Sequence, residues 1–221
     1  MNTRAKLRYI WDYYKYPIII AMIVVIAVVS FIRGRLAYKP TVFNLVMIDS
    51  NVSELADRTL LDDFRESCSD FDPDKEKITL NANYDTSTMD QGMYSEKQKL
   101  LIEYNVGSID ATIGPKDIME ELAEGQAFVD LNDLLPEELM ARIRDENIEI
   151  LTAHYEDPAT GKKYDFPAAI NISGSEAIKK GFTDIYGETF PYFDEDCYYA
   201  VSPNSSYLDH GIEFLKYLLE K

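Results

Sequence analysis

Few residues in this chain are of types that carry out chemistry. There are two histidines, His154 and His210. Zinc centres need His and acid at short fixed spacings such as H-E-x-x-H, and neither histidine stands in one. Each reads as a surface or capping residue. Ser173-Gly174-Ser175 is not the G-x-S-x-G pattern of a nucleophile elbow. Neither G-x-G-x-x-G nor G-x-x-x-x-G-K occurs, so the sequence holds no loop built to cradle phosphates. Asp70, Asp72 and Asp74 alternate like the first half of a calcium loop, but Lys75 stands where that loop needs Gly and Asn81 where it needs Glu. The segment reads as a solvated acidic turn, as does Asp194-Glu195-Asp196. Cys68 and Cys197 are too distant in sequence for a metal spacing. One long-range disulfide, in an exported domain, and two thiols are both open readings. The pattern points to a binding or structural protein without a cofactor rather than an enzyme.

A binding site in such a chain has to be assembled by its regular elements. Residues 41–48 (TVFNLVMI) form an apolar, β-branched run that predicts a buried strand. Ser53 is a good cap for a helix over 54–67, with Leu55, Leu60, Leu61 and Phe64 facing a core. A second strand is expected over 77–84, a helix over 95–105 and a third strand over 109–113, broken by Gly114-Pro115. A helix over 117–124 closes at Gly125, an extended piece covers 128–135, and another helix covers 136–147. Residues 150–155 and 162–167 flank a turn and predict a hairpin. A short helix over 175–182, a strand over 198–202 and an amphipathic helix over 207–220 complete the order. Strand and helix alternate over the first half, which predicts an α/β domain: a mostly parallel sheet with helices on both faces. Ligands of such sheets bind beyond the carboxyl ends of the strands. That rule selects Asp49, Ser50 and Asn51 after the first strand, Tyr84 and Asp85 after the second, and Gly114 and Pro115 after the third. The same residues serve as ordinary turn formers if no ligand is bound.

Charge and hydropathy set the location. The 221 residues carry a net charge of −17. Residues 1–40 hold seven of the 22 basic residues and one of the 39 acidic ones, so 41–221 is near −23 by itself. So acidic a segment repels phosphate backbones, and a nucleic-acid partner is not expected. Residues 16–32 run without a charge between Lys15 and Arg33 and are apolar on every face. They predict one N-terminal transmembrane helix of about 25 Å, with Lys15, Arg33 and Arg35 snorkelling and Trp11, Tyr13, Tyr14 and Tyr16 forming an aromatic belt. Pro17 opens the apolar run, where a missing N–H costs least. A cleaved signal peptide would need a small-residue site, and Phe31-Ile32-Arg33-Gly34-Arg35 supplies none. The expected layout is a cytoplasmic tail (1–15), a membrane span (16–32), a linker (33–40) and an extracytoplasmic α/β domain (41–221) on a single-pass cell-membrane protein.

The order of several segments resembles bacterial extracellular solute-binding proteins, the receptors of ABC importers. Ile109-Asp110-Ala111-Thr112-Ile113-Gly114, then Gly125 through Leu131, is similar to a strand and a G-x-x-x-D-L piece of that family. Gly161 through Pro167 is similar to its hairpin leading into the hinge, and Ala200 through Ser206 with Ile212 through Leu218 to its late strand and returning helix. The resemblance implies one lobe of a periplasmic-binding-protein-like fold. Only about 30 residues separate Pro167 from Tyr198, so the second lobe is reduced to a stub. The implied function is binding of a sugar or other small solute, or of a protein partner such as an ABC permease or another envelope protein, with Tyr84 as a stacking platform for a sugar ring. The alternative is a structural or regulatory envelope protein that has lost its ligand.

Overall fold

The structure is a computed structural model describing residues 3–36, 38–52, 59–68, 71–86, 91–156, 160–184 and 186–220. The chain divides into two compact units, Met1–Pro40 and Thr41–Lys221.

The first unit is one helix, α1 (Thr3–Leu36). Its stretch Tyr13–Arg35 has mean hydropathy 2.5 and is long and apolar enough to cross a membrane. The side chains of the apolar run are exposed on all sides, as are Trp11, Tyr13, Tyr14 and Tyr16. The Lys15 ammonium lies 5.3 Å from the Tyr16 ring centroid and Arg35 lies over Phe31 at 5.6 Å. The expectation for Pro17 needs correction. The helix begins 14 residues earlier, at Thr3, so Pro17 is interior and removes one i→i−4 hydrogen bond.

The second unit is built on a six-stranded sheet of order β2-β1-β3-β8-β5-β4. Its strands are β1 (Thr41–Ile48), β2 (Lys77–Tyr84), β3 (Ala111–Pro115), β4 (Ile150–Glu156), β5 (Lys163–Asn171) and β8 (Cys197–Val201). β1 pairs in parallel with β2 and β3, while β8 runs antiparallel between β3 and β5, and β4 closes the far edge as a hairpin with β5. The sheet is thus mixed and mostly parallel, with β1, β2, β3 and β5 sharing one direction.

Alternation along β1 sends its side chains to two cores. Phe43, Leu45 and Met47 join one face with Leu61 and Phe64 of α2 (Thr59–Ser67), Met140 and Ile143 of α6 (Glu137–Asp145) and Phe214, Leu215 and Leu218 of α8 (Leu208–Leu219). Val46 and Ile48 join the other with Leu100 and Tyr104 of α3 (Gln91–Asn105) and Ile118, Met119 and Leu122 of α4 (Lys116–Glu124). On α8 the buried positions 211, 214, 215, 218 and 219 form the stripe that the helical period demands. Gly211 lets α8 come close to the sheet: a Cβ there would sit 3.1 Å from Val201, and the Tyr199 hydroxyl donates to the Gly211 carbonyl at 2.8 Å.

Several boundaries differ from expectation. Ser53 and Leu55 lie outside the described residues, as does Asp70. The helix expected over 95–105 starts at Gln91. β3 runs through Gly114 and Pro115 instead of breaking there, because Gly114 pairs with Tyr198 and Pro115 with Cys197 of β8. β1 pairs with β3 only as far as Ile113, so the proline's missing N–H interrupts no ladder on that side. The extended piece expected over 128–135 contains a helical turn, α5 (Leu131–Leu134), capped by the Asp130 carboxylate accepting from Asn132 N at 2.9 Å.

Candidate functional site

At the carboxyl ends of β1, β2 and β3 most polar side chains are engaged within the chain, while Asn51 and Asp85 stay exposed. Asp49 has a positive φ of 51° and closes a tight turn. Its carboxylate accepts from the Thr86 hydroxyl at 2.6 Å and from the Thr86 backbone N–H, while its own N–H donates to the Tyr84 carbonyl at 2.8 Å. The carboxylate therefore braces the β1 and β2 ends instead of presenting oxygens to a ligand. Ser50 follows with a buried hydroxyl that has no hydrogen-bond partner among the described residues. Asn51 donates from N to the Tyr192 carbonyl at 2.9 Å and from Nδ2 to the Pro191 carbonyl at 3.3 Å. Asp85 is exposed at the end of β2. Gly114 and Pro115 are buried, and a Cβ on Gly114 would meet Ile118 at 3.3 Å and Met119 at 3.4 Å.

Tyr84 is the main correction. It is 1 % exposed and no stacking platform. Its hydroxyl donates to Glu103 Oε2 at 2.5 Å, and the Lys99 ammonium lies 4.5 Å from its ring centroid. Burial, then the Glu103 carboxylate, pushes the phenol well above its ordinary range. A register shift explains the location. Between the pairs Val46↔Asn81 and Ile48↔Tyr84, β1 advances two residues and β2 three. The extra residue turns Tyr84 to the face opposite Ile78 and Leu80, into the α3–α4 core.

Among the described residues, 168–197 add no second lobe. After β5 come the single turn α7 (Glu176–Lys179) and a two-stranded ribbon, β6 (Phe182–Thr183) with β7 (Thr189–Phe190). Ile178, Phe182, Tyr192 and Phe193 turn inward and join the core of the α2–α6–α8 face. What remains at the β1 end is an open hollow of about 420 Å³ lined by Asn51, Phe182, Asp184, Phe190, Pro191 and Asp194. Gly181, with φ +69°, makes the ribbon possible: a Cβ there would lie 2.2 Å from the Phe190 carbonyl oxygen.

A larger concave surface lies at the carboxyl end of β5, a place the strand-end rule allows but that segment reading missed, because β5 was identified only as part of a hairpin. This groove of about 670 Å³ is walled by Glu146, Glu149, Asn171, Ser175, Glu176 and Glu220 over a floor that includes Ile172, Leu218 and Leu219. Glu149 accepts from Lys116 Nζ at 2.9 Å and its carboxyl is held below the usual range, chiefly by that ammonium and then by the Tyr198 hydroxyl.

Other residues with chemical potential are paired with neighbouring groups. Asp110 is 5 % exposed; it accepts from Asn44 N at 2.7 Å and from the Ser205 hydroxyl at 2.5 Å, joining β1, β3 and the loop before α8. Burial raises its carboxyl above the ordinary value, against the opposing pull of Ser205, Asn44 and His210. His154 pairs with Asp165 at 2.8 Å, both exposed, with no nucleophile in the pair. The Asp72 carboxylate is occupied by Lys75 at 2.7 Å and by Asp74 N at 3.0 Å. Among the described residues, no three His, Cys, Asp or Glu side chains are grouped to hold a metal. Cys68 and Cys197 are both thiols. With this geometry in view, no family model matches the chain, and neither curated proteins nor solved structures give a match.

Proposed function

We propose that the chain is a membrane-anchored envelope protein whose acidic α/β domain docks a protein partner and encloses no small solute. The observation that carries this reading is that the side chains at the carboxyl ends of the parallel strands are engaged within the chain: Tyr84 is in the core, Asp49 is tied to Thr86, and Asn51 donates to the Pro191 and Tyr192 carbonyls. Small-molecule affinity needs a cleft that buries most of the ligand. Docking a protein needs only a shaped, partly apolar surface. Leu101, Ile102 and Val106 supply one around the end of α3, at 43 %, 62 % and 70 % exposure. The helix Tyr13–Arg35 supports membrane anchorage, and an extracytoplasmic domain is part of the proposal. An ABC permease is one partner of this kind, as the resemblance to solute-binding proteins implies; a structural or regulatory envelope protein is the other.

The test is amine-reactive cross-linking of the tagged full chain in its native membrane, with a variant carrying Glu120→Cys on the exposed face of α4 to read topology. The reading expects one reproducible adduct with another membrane or envelope protein, and labelling of the new cysteine by an impermeant maleimide on intact cells. Absence of any heterologous adduct across reagent lengths would refute the docking role. Labelling only after lysis would place the domain in the cytoplasm.

A further inference from the structure

We infer that the outer edge of β4 pairs with an extended, basic segment of a partner protein, which extends the six-stranded sheet by one strand; this rests on the protein-docking reading above. β4 ends the sheet and pairs with β5 alone. Asn171 N donates to the Glu149 carbonyl at 2.9 Å, so the backbone groups of residue 149 face β5. Strand alternation then turns those of Leu151, Ala153 and Tyr155 toward β5, and those of Ile150, Thr152 and His154 outward. No hydrogen bond to a described residue meets the outward groups. A row of alternating N–H and C=O groups is matched by one kind of ligand, another extended backbone.

The two edges of the sheet differ. On β2, the opposite edge strand, side chains occupy backbone groups: the Ile78 carbonyl accepts from the Arg65 guanidinium, and Asn83 N donates to Asn81 Oδ1 at 3.2 Å. The β2 pairing with β1 also shifts register at both ends. β4 (ILTAHYE) has no such covering and no Lys, Pro or Gly, the residues that blunt an edge. Its one register shift places the extra residue in β5 and leaves β4 regular. Its two ionisable side chains are engaged across the hairpin, His154 with Asp165 at 2.8 Å and Glu156 with Lys163 at 3.5 Å, so neither is left to repel an incoming strand.

Charge selects the occupant. α4 packs over Leu151 and Ala153 of β4. Lys116 on this helix reaches Glu149, just before β4, at 2.9 Å, while Glu121 reaches Lys97 of α3 at 2.5 Å. The side of α4 that carries Lys116, and Glu120 one turn on, therefore borders β4. Glu120 and Glu124 are exposed, and neither forms a salt bridge among the described residues. Two copies of a domain near −23 repel each other, which disfavours edge-to-edge pairing of this chain with itself. The same field, with Glu120 and Glu124 beside the edge, favours a strand bearing Lys or Arg.

The experiment puts a photoreactive group at the edge. His154→Cys in the full chain, alkylated with benzophenone maleimide in native membranes and irradiated, should form an adduct with a different protein, joined within a Lys- or Arg-bearing segment on mass-spectrometric mapping. The parent chain, with Cys68 and Cys197 only, sets the background, and Asp209→Cys on α8 should not give this adduct. Adding Thr152→Pro removes one outward N–H and no β4–β5 bond, and should lower the yield about tenfold with Tm changed by less than about 4 °C. If Tm falls further, Glu120→Lys with Glu124→Lys decides: it should lower the yield about threefold, and an unchanged yield overturns the proposal. An adduct equally strong from Asp209→Cys, one insensitive to Thr152→Pro in a folded chain, or none from His154→Cys while amine reagents still capture a partner, overturns the edge and leaves the docking reading standing. An adduct between two copies of the chain overturns the heterologous occupant. Failure of longer amine reagents to capture any partner of the parent chain overturns the docking reading itself.

Discussion

Replacing Tyr84 separates a buried strut from a ligand platform. The ring is 1 % exposed in the core formed by α3, α4 and the sheet, and its hydroxyl holds Glu103 at 2.5 Å. Tyr84→Ala leaves a cavity of aromatic size and is expected to cost about 3–5 kcal/mol, by analogy with other large-to-small aromatic changes. Tyr84→Phe keeps the packing and removes one bond to a charged acceptor. A typical cost is about 1.5–3 kcal/mol, and the lower end applies because Glu103 is only partly buried and water can replace the lost donor. For a domain of this size each kcal/mol moves Tm by roughly 2–4 °C, so the alanine variant should melt roughly 10 °C lower and the phenylalanine variant roughly 3–5 °C lower. The assay is thermal unfolding of the full chain in detergent, followed by near-ultraviolet circular dichroism, which reports packed aromatics of the unit Thr41–Lys221. A Tyr84→Ala protein melting within about 1 °C of the parent, well inside the roughly 0.5 kcal/mol typical of surface changes, would refute the placement of Tyr84 in the core and restore it as a surface platform.

Three further outcomes are expected. Folded Asp110 holds its proton more tightly than an unfolded carboxyl of ordinary value 3.8. Its contribution to stability is therefore present below that value and lost as pH rises through the raised folded value, so Asp110→Asn should flatten the fall of Tm over that window; an identical Tm–pH profile for the two proteins would contradict this. Burial pushes the Cys197 thiol up to about 11 at 1 % exposure, so iodoacetamide at pH 8 should modify only Cys68 in the folded chain and both thiols after denaturation; rapid labelling of Cys197 in the folded chain would count against its burial. Gly181→Ala should cost at least about 1–3 kcal/mol, since it combines a positive φ with a clash against the Phe190 carbonyl; an unchanged Tm would show that the ribbon tolerates another backbone path.

The parts of the fold that were legible were those set by local pattern. β1 and β2 match their expected limits because β-branched and apolar runs are bounded there by turn formers, and α4 and α6 fall within one or two residues of theirs because their apolar spacing is helical. The β4–β5 hairpin followed from a turn between two extended runs. What was hidden depends on residues distant in sequence. Pairing with β8 keeps Gly114 and Pro115 inside a strand, although their types argue for a break. The register shift near the end of β2 reverses the face of Tyr84, and no residue between Asn81 and Tyr84 announces it. The strand-end rule named the ends of β1, β2 and β3; residues 191–192 reach the first of these through Asn51, and Tyr84 at the second is in the core. The groove at β5 is assembled from two separate loops, the turn α7 and the end of α8, none carrying a recognisable motif.

The central claim, that the parallel strand ends enclose no solute, is tested most directly by measuring the Tm of the full chain against a panel of sugars, oligosaccharides, amino acids and short peptides at millimolar concentration. A ligand present at 100 times its Kd stabilises the folded state by about 2.7 kcal/mol, a shift of several degrees. The account predicts that no compound in the panel produces one. A compound that raised Tm by several degrees, with the gain abolished by Asn51→Ala beside the hollow at the end of β1, would contradict it and make solute binding the function.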